Sequence, residues 1–306
     1  LSEFESDPKK IWESNIFGKN LHELVNEGLQ NKLYKMPERQ PQILDLEKVI
    51  ESKAGDKAKR IPKFLIRWFK NFMHLDYIND YLKEGYVGVE FCENCLKYLG
   101  VEIEVNGLEN LPKDGRKYTF VSNHPLGAID GVTLGAIIGR EYDGKIKYLM
   151  NDLLMNLKGM APLGIPINKL GGQARNLSKL VNEAYESDNQ MLIFPAGLCS
   201  RKIDGKITDL PWGKSFIKKS RETGRDIIPI HFEGENSKRF YNVASLQKTL
   251  GLKFNFAMMF LPDEMYKSAG RKYKITFGKP VSIDTLDKSR SDHEWAQVIR
   301  SKVYEL

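Results

Sequence analysis

Long apolar runs are missing from this 306-residue chain. A helix needs ~20 consecutive apolar residues to cross a bilayer. The strongest stretches here, Phe64–Met73 and Phe254–Pro262, are short or broken by Asn, Arg and Lys, so a membrane-spanning protein is not expected. Cysteine is scarce as well. Three residues cannot build a disulfide scaffold, and a reducing compartment is expected. The sequence does not open on a basic segment, an apolar core and a small-residue cleavage site, which makes a cytoplasmic location the expectation. Zinc-finger, RNP-like and helix-turn-helix signatures are lacking too. Nucleic acid is therefore set aside as a partner despite a net charge of +7. What remains is ordinary globular material: 41% hydrophobic and 28% charged residues exclude disorder, collagen and coiled coil.

The positive charge is local. Lys53, Lys57, Lys59, Arg60, Lys63, Arg67 and Lys70 face a single acid, Asp56, between Lys53 and Phe72. Within this stretch Phe64, Leu65, Ile66, Trp68, Phe69, Phe72 and Met73 surround a narrow stripe of Lys63, Arg67, Lys70 and His74, at helical spacings of three and four. Such a basic amphipathic helix either packs its apolar face on the rest of the protein or lies in a membrane interface with its cations near anionic headgroups.

Residues 1–42 read as polar helices ending at the Pro37 to Pro41 segment, and 43–100 as a helical region. From Val101 the period switches to strand-like alternation, and 101–306 reads as an α/β domain. Strands are expected at Val101–Val105, Lys117–Ser122, Ile146–Met150, Gln190–Pro195, Asp226–Phe232 and Tyr273–Phe277. Helices are expected at Gly131–Gly139, Gly172–Glu186, Gly213–Thr223 and Asp292–Tyr304. The fold class is α/β, a mixed, partly parallel sheet flanked by helices and preceded by an N-terminal helical region. Sites in such sheets lie at the carboxyl ends of strands, here just after Ser122, Phe194 and Ile230.

His124 follows the first of those strands, and Asp130 stands at the entry to the next helix, across a loop that turns at Pro125 and Gly127. A carboxylate beside a strand-end histidine fixes its tautomer and stabilises the imidazolium, which is what a general base needs. The residues also allow a blander reading, in which His124 is structural and Asp130 only caps the helix.

Asn123-His124-Pro125-Leu126-Gly127 with Asp130-Gly131 resembles the His/Asp motif of the glycerol-3-phosphate and lysophospholipid acyltransferase superfamily. Gly164-Ile-Pro-Ile-Asn-Lys169 resembles its second motif, Phe194-Pro-Ala-Gly-Leu-Cys-Ser-Arg201 its third, and Ile228-Pro-Ile-His231 its fourth, all in the family's order. From about Ile43 to Leu306 the chain resembles a Bacteroidetes subgroup of glycerol acyltransferases that includes the O-acyltransferase of glycine lipid synthesis. Residues 1–41 lie outside it and resemble a segment of a bacterial spore-coat morphogenetic ATPase.

The resemblance implies transfer of a fatty acyl group from a thioester, on acyl carrier protein or coenzyme A as cosubstrate, to a hydroxyl of a lysolipid, with no bound cofactor or metal. It implies His124 as base and Asp130 as its orienting partner. Asn123, Gly127, Lys169, Phe194, Pro195, Gly197, Ser200 and Arg201 would then contact substrate, with peptide N–H groups near Phe194–Gly197 as oxyanion donors. Beside it, the cationic helix is expected to dock on an anionic membrane surface through Lys63, Arg67, Trp68 and Lys70, as a peripheral protein on the inner face of the cell membrane.

Three departures bear on this. Five residues separate His124 from Asp130 where the motif has four, so the loop must absorb one for the carboxylate to reach the ring. The third motif's usual Glu and first Arg are Ala196 and Cys199, and the second motif's Arg is Lys169. Arg grips phosphate bidentately and Lys does not, which weakens a phosphomonoester acceptor and favours a lyso-aminolipid such as a lyso-glycine lipid. The alternative is a non-catalytic lipid- or partner-binding protein on the same fold, which would bind liposomes without turnover. A hydrolase is disfavoured because no Gly-x-Ser-x-Gly elbow exists. Cys92 and Cys95 are expected as buried packing groups, Gly171-Gly172 as a turn, His231 as structural or substrate-lining, and His22, His74 and His293 as surface residues.

Overall fold

The structure, a computed structural model, describes residues 38–167, 174–251 and 255–306. Residues 1–37, where the N-terminal helices are expected, and the cation Lys169 fall outside the described residues; 38–42 are described and carry no helix. Asp45 caps α1 (Leu46–Ala54), its carboxylate accepting from the Glu47 and Lys48 N–H groups. A 3₁₀ segment, Gly55–Arg60, leads to α2 (Lys63–Phe72). Pro62 sits just before that helix rather than in its first turn, as its extended ψ of 135° shows.

No residue of α2 is buried: Phe64 is 69% exposed, Trp68 59% and Leu65 44%. Its C-terminal end packs, with Phe72 edge-on to Phe260 at 5.1 Å and Arg239 over both rings. His74, at φ 52, then turns the chain into α3 (Leu75–Leu82). It was expected to be a surface residue, but it stacks on Tyr266 at 3.8 Å and bonds Asp263. The partner was hidden because it lies far along the chain, in the helix Leu261–Lys267. Next, α4 (Val89–Leu99) buries Phe91, Cys92, Cys95, Leu96 and Leu99.

Seven strands form the main sheet in the order β1-β9-β8-β2-β5-β3-β4. They are β1 (Glu102–Asn106), β2 (Tyr118–Ser122), β3 (Ile146–Asn151), β4 (Gly164–Ile167), β5 (Gln190–Ile193), β8 (Asp226–Glu233) and β9 (Lys272–Phe277). All neighbouring pairs are parallel except β8 with β9, so β1 and β9 run against the other five. The sheet is therefore mixed and mostly parallel. Its middle strand, β2, is buried at every position, as a strand covered on both faces must be.

Alternation along the strands splits the core in two. Phe120 and Ile228 point to the side covered by α4 and α5 (Ile129–Glu141). Val121 and Ile227 point to the side covered by α6 (Ala174–Glu186), α7 (Ser215–Glu222) and α10 (Asp292–Tyr304). The helical region and the α/β body thus share one core.

Five strands and helices among the described residues were not anticipated: β4, the hairpin of β6 (Arg201–Ile203) and β7 (Lys206–Thr208), α8 (Lys238–Thr249) and α9 (Leu261–Lys267). The hairpin turns on Asp204-Gly205, both at positive φ. That dipeptide favours a tight turn, but the flanking strands are short and charged and carry little apolar alternation.

Candidate active site

Parallel pairing brings the ends of β2, β5 and β8 to one edge of the sheet, Ser122 beside Ile230 and Val121 beside Ile193. Asn123 prolongs the β2–β8 pairing with its side chain: Nδ2 donates to the Phe232 carbonyl at 2.9 Å, and Oδ1 accepts from the Phe232 N–H at 2.7 Å. With both amide atoms committed, Asn123 serves to aim the next residue, His124.

The loop after His124 doubles back at Gly127, at φ 80. A Cβ there would run into Cys199 Sγ and crowd Leu261, so only glycine fits. With five residues between them, Asp130 still reaches the His124 ring. Asp130 lies in the first turn of α5, wholly buried. Its Oδ2 accepts from His124 Nδ1 at 2.9 Å and from the Leu126 and Gly127 N–H groups at 3.0 and 3.1 Å, while Oδ1 accepts from the Gly131 N–H at 2.9 Å. One carboxylate thereby holds both the loop and the ring.

A carboxylate accepts and does not donate, so the imidazole carries its proton on Nδ1 and its lone pair on Nε2. Burial by itself would depress the His124 pKa, but the charge and hydrogen bond of Asp130 outweigh it and the net direction is upward. Burial likewise opposes ionisation of Asp130. The facing imidazole and the Gly127 and Leu126 N–H groups overcome that cost and hold its carboxyl below the usual range. The ring stacks on Phe194 at 4.1 Å.

Phe194 opens the turn after β5. The Gly197 N–H closes that turn on the Phe194 carbonyl at 3.0 Å, which commits one of the peptide donors expected for an oxyanion, and the Pro195 carbonyl accepts from Gly213. Ser200 is buried; its N–H donates to the His124 carbonyl at 2.7 Å and its hydroxyl to Asp209 at 2.6 Å. Arg201 Nη1 donates to the Cys199 and Ser200 carbonyls, with the guanidinium over Phe240. The structure therefore brings His124, Gly127, Asp130, Phe194, Ser200 and Arg201 into one cluster, while Asn123 and Pro195 brace its edges.

Other nucleophiles are poorly placed. Burial pushes the Cys199 and Cys95 thiols up to about 12, and Cys92 higher still, so all three stay protonated packing groups at neutral pH. His231 is half-buried against Tyr304, and burial lowers its pKa. His293 is exposed. Among the described residues, no three His, Cys, Asp or Glu side chains are grouped to hold a metal ion. Two features had no sequence signal: Asp209, outside every motif block, and the His74–Asp263 pair, separated by 189 positions.

Residues 48–306 match the acyltransferase family. The chain belongs to that family. A lyso-glycine lipid O-acyltransferase of Bacteroides thetaiotaomicron is 51% identical over 86% of this chain and 97% of its own length. One from Phocaeicola vulgatus is 49% identical over 91% and 100%. The solved structure of a 1-acyl-sn-glycerophosphate acyltransferase from Thermotoga maritima aligns over 71% of this chain and 77% of its own, with a TM-score of 0.45 and 18% identity. Residues 1–57 match a second family model, the C-terminal part of sporulation stage IV protein A. The protein is thus an acyltransferase.

Proposed function

We propose that this acyltransferase moves a fatty acyl group from an acyl carrier protein or coenzyme A thioester to the hydroxyl of a lysolipid, a lyso-glycine lipid in preference to lysophosphatidic acid. His124 Nε2 takes the proton of the acceptor hydroxyl as its oxygen attacks the thioester carbonyl; Asp130 holds the ring and offsets the imidazolium charge. The tetrahedral intermediate then collapses, and the thiolate leaves with the proton that His124 returns. Proton transfer of this kind contributes ~10²–10⁴-fold in rate.

The observation that carries this reading is the 2.9 Å contact between His124 Nδ1 and the buried Asp130 carboxylate, in a chain whose full-length relatives bear the name lyso-glycine lipid O-acyltransferase. The replacement of motif arginines by Lys169 and Cys199 supports an acceptor that is not a phosphomonoester. Arg201, fixed by two carbonyls, fits the carboxylate of such an acceptor.

The enzyme works as a peripheral protein on an anionic membrane surface at the cytoplasmic side, through α2. The exposure of Phe64, Leu65 and Trp68 supports this, because apolar side chains left in water together mark an interaction surface. No described helix is long and apolar enough to cross a membrane. Among the described residues Lys63 and Arg67 have no ion-pair partner, whereas Lys70 is paired with Glu47 at 2.8 Å. The docking charge therefore rests chiefly on Lys63 and Arg67.

Incubation with acyl carrier protein thioester and each lysolipid tests the reading. Wild type should acylate lyso-glycine lipid faster than lysophosphatidic acid, and His124→Ala should not. Equal rates in wild type and His124→Ala would end the base assignment. Liposome binding without turnover on either acceptor would favour a non-catalytic lipid-binding role.

A further inference from the structure

Asp209 belongs to no motif block, yet it lies against His124. It follows β7 and is 1% exposed. Oδ1 accepts from the His124 N–H at 3.2 Å and from the Ser200 hydroxyl at 2.6 Å, and Oδ2 accepts from the Trp212 indole N–H at 2.9 Å. All three donors are neutral. The Ser200 N–H donates in turn to the His124 carbonyl at 2.7 Å. His124 and Ser200 are thereby closed into a ring through one carboxylate. Asp209 is itself clamped by α10: its N–H donates to Tyr304 Oη at 2.8 Å, and its carbonyl accepts from Arg300 at 3.0 Å.

We propose that Asp209 is a second positioning carboxylate for His124, fixing the peptide while Asp130 fixes the ring, and adding its negative charge to the stabilisation of the imidazolium. The proposal rests on reading His124 as the base. It also reassigns Ser200, whose hydroxyl proton is spent on Asp209, from a substrate donor to part of this brace.

The charged and titratable groups around the pair come from several elements. Asp130 on α5 and Asp209 favour the imidazolium, while Arg201 on β6 opposes it. Cys199 lies beside Asp130. His231 on β8 and Tyr304 on α10 sit near Asp209, with Arg300 at its carbonyl. Of these charged and titratable groups, Asp130 and Asp209 hydrogen-bond His124, at the ring and at the backbone N–H.

Asp209→Asn keeps the shape and removes the charge. In the full chain, acyl transfer is measured across pH, and the His124 ring is titrated by ¹⁵N-histidine NMR, its signals assigned by their loss in His124→Ala. The expected result is a kcat lowered ~10–100-fold by the displaced peptide, with KM nearly unchanged and the His124 midpoint moved to lower pH. Ser200→Ala, which keeps the carboxylate, should leave the midpoint in place. An unmoved midpoint in Asp209→Asn, or an equal shift in Ser200→Ala, overturns the proposal. Should Asp209→Asn fail to fold, Asp209→Glu serves: the charge stays, so the midpoint stays, but the longer side chain lowers kcat, and a wild-type kcat refutes the positioning. The two readings fail separately. A fully active His124→Ala removes the base and leaves the NMR coupling measurable, whereas an inactive His124→Ala with an unmoved midpoint in Asp209→Asn removes only the role of Asp209.

Discussion

Two histidines of this chain meet a buried aspartate and stack on an aromatic ring. His124 bonds Asp130 at 2.9 Å and lies on Phe194; His74 bonds Asp263 at 3.0 Å and lies on Tyr266. The pairs differ in what else holds the carboxylate and in which nitrogen is used. Asp263 also receives Lys267 Nζ at 2.5 Å, so its charge is shared with a permanent cation. Asp130 is held otherwise only by peptide N–H groups, and its charge is left for the imidazole. His124 is bonded through Nδ1, which leaves the lone pair of Nε2 for the base role proposed. His74 is bonded through Nε2, the tip, and its backbone turns the chain between α2 and α3. On the proposed reading, the same residue pair makes a base in one place and a joint in the other. The neighbours of the carboxylate decide which.

The largest effect expected separates the two directly. His124→Ala should lower kcat/KM by ~10²–10⁴-fold. His74→Ala should lower it less than about tenfold, since a displaced joint perturbs geometry without removing the base. Similar losses in one assay would erase the distinction.

The loop that lets Asp130 reach His124 comes next. Gly127→Ala costs about 1–2 kcal/mol for a left-handed alanine and a further ~1–3 kcal/mol for crowding Cys199 and Leu261. Gly131, four residues on, has nothing within 4 Å of an added Cβ. Gly131→Ala should stay within about 1 kcal/mol of wild type, with the usual helix preference for alanine acting in its favour. Thermal denaturation of both variants reads the contrast, and equal melting temperatures would show that the Gly127 turn is not constrained.

A smaller effect concerns the helix that His74 follows. Lys63→Glu with Arg67→Glu removes two cations worth ~1 kcal/mol each near an anionic surface, so binding to anionic vesicles should weaken about 30-fold or more. The rate on detergent-dispersed acceptor should hold. Lys70→Glu should do less, because Lys70 already pairs with Glu47. Unchanged flotation of the double variant would return α2 to a packing role.

Much of the α/β order was legible because strands buried on both faces, such as Tyr118–Ser122, are short apolar runs bounded by polar turns. His124 and Asp130 were legible because loop and helix entry fall within seven consecutive residues. Whether the extra residue between them was tolerable was not, since that depends on Gly127 sitting against Cys199 from another loop. Asp209, His74 with Asp263, and the burial of Ser200 depend on contacts between distant segments, which residue spacing does not encode. The periodicity of α2 is the same whether its apolar face meets protein or lipid, so spacing does not separate the two readings; the fold leaves Phe64, Leu65 and Trp68 exposed.

The central claim is that an unshared carboxylate tunes His124 as the base, and the pH dependence of kcat/KM tests it most directly. A base must be neutral to act, and Asp130 raises the His124 pKa. In wild type the rate should therefore rise with pH through a midpoint above the ordinary imidazole value of about 6.5. Asp130→Asn leaves burial to act without the opposing charge and should move that midpoint to lower pH, with a lower plateau. Asp263→Asn should leave it in place. A midpoint common to all three proteins, or one displaced by Asp263→Asn and not by Asp130→Asn, would contradict the account.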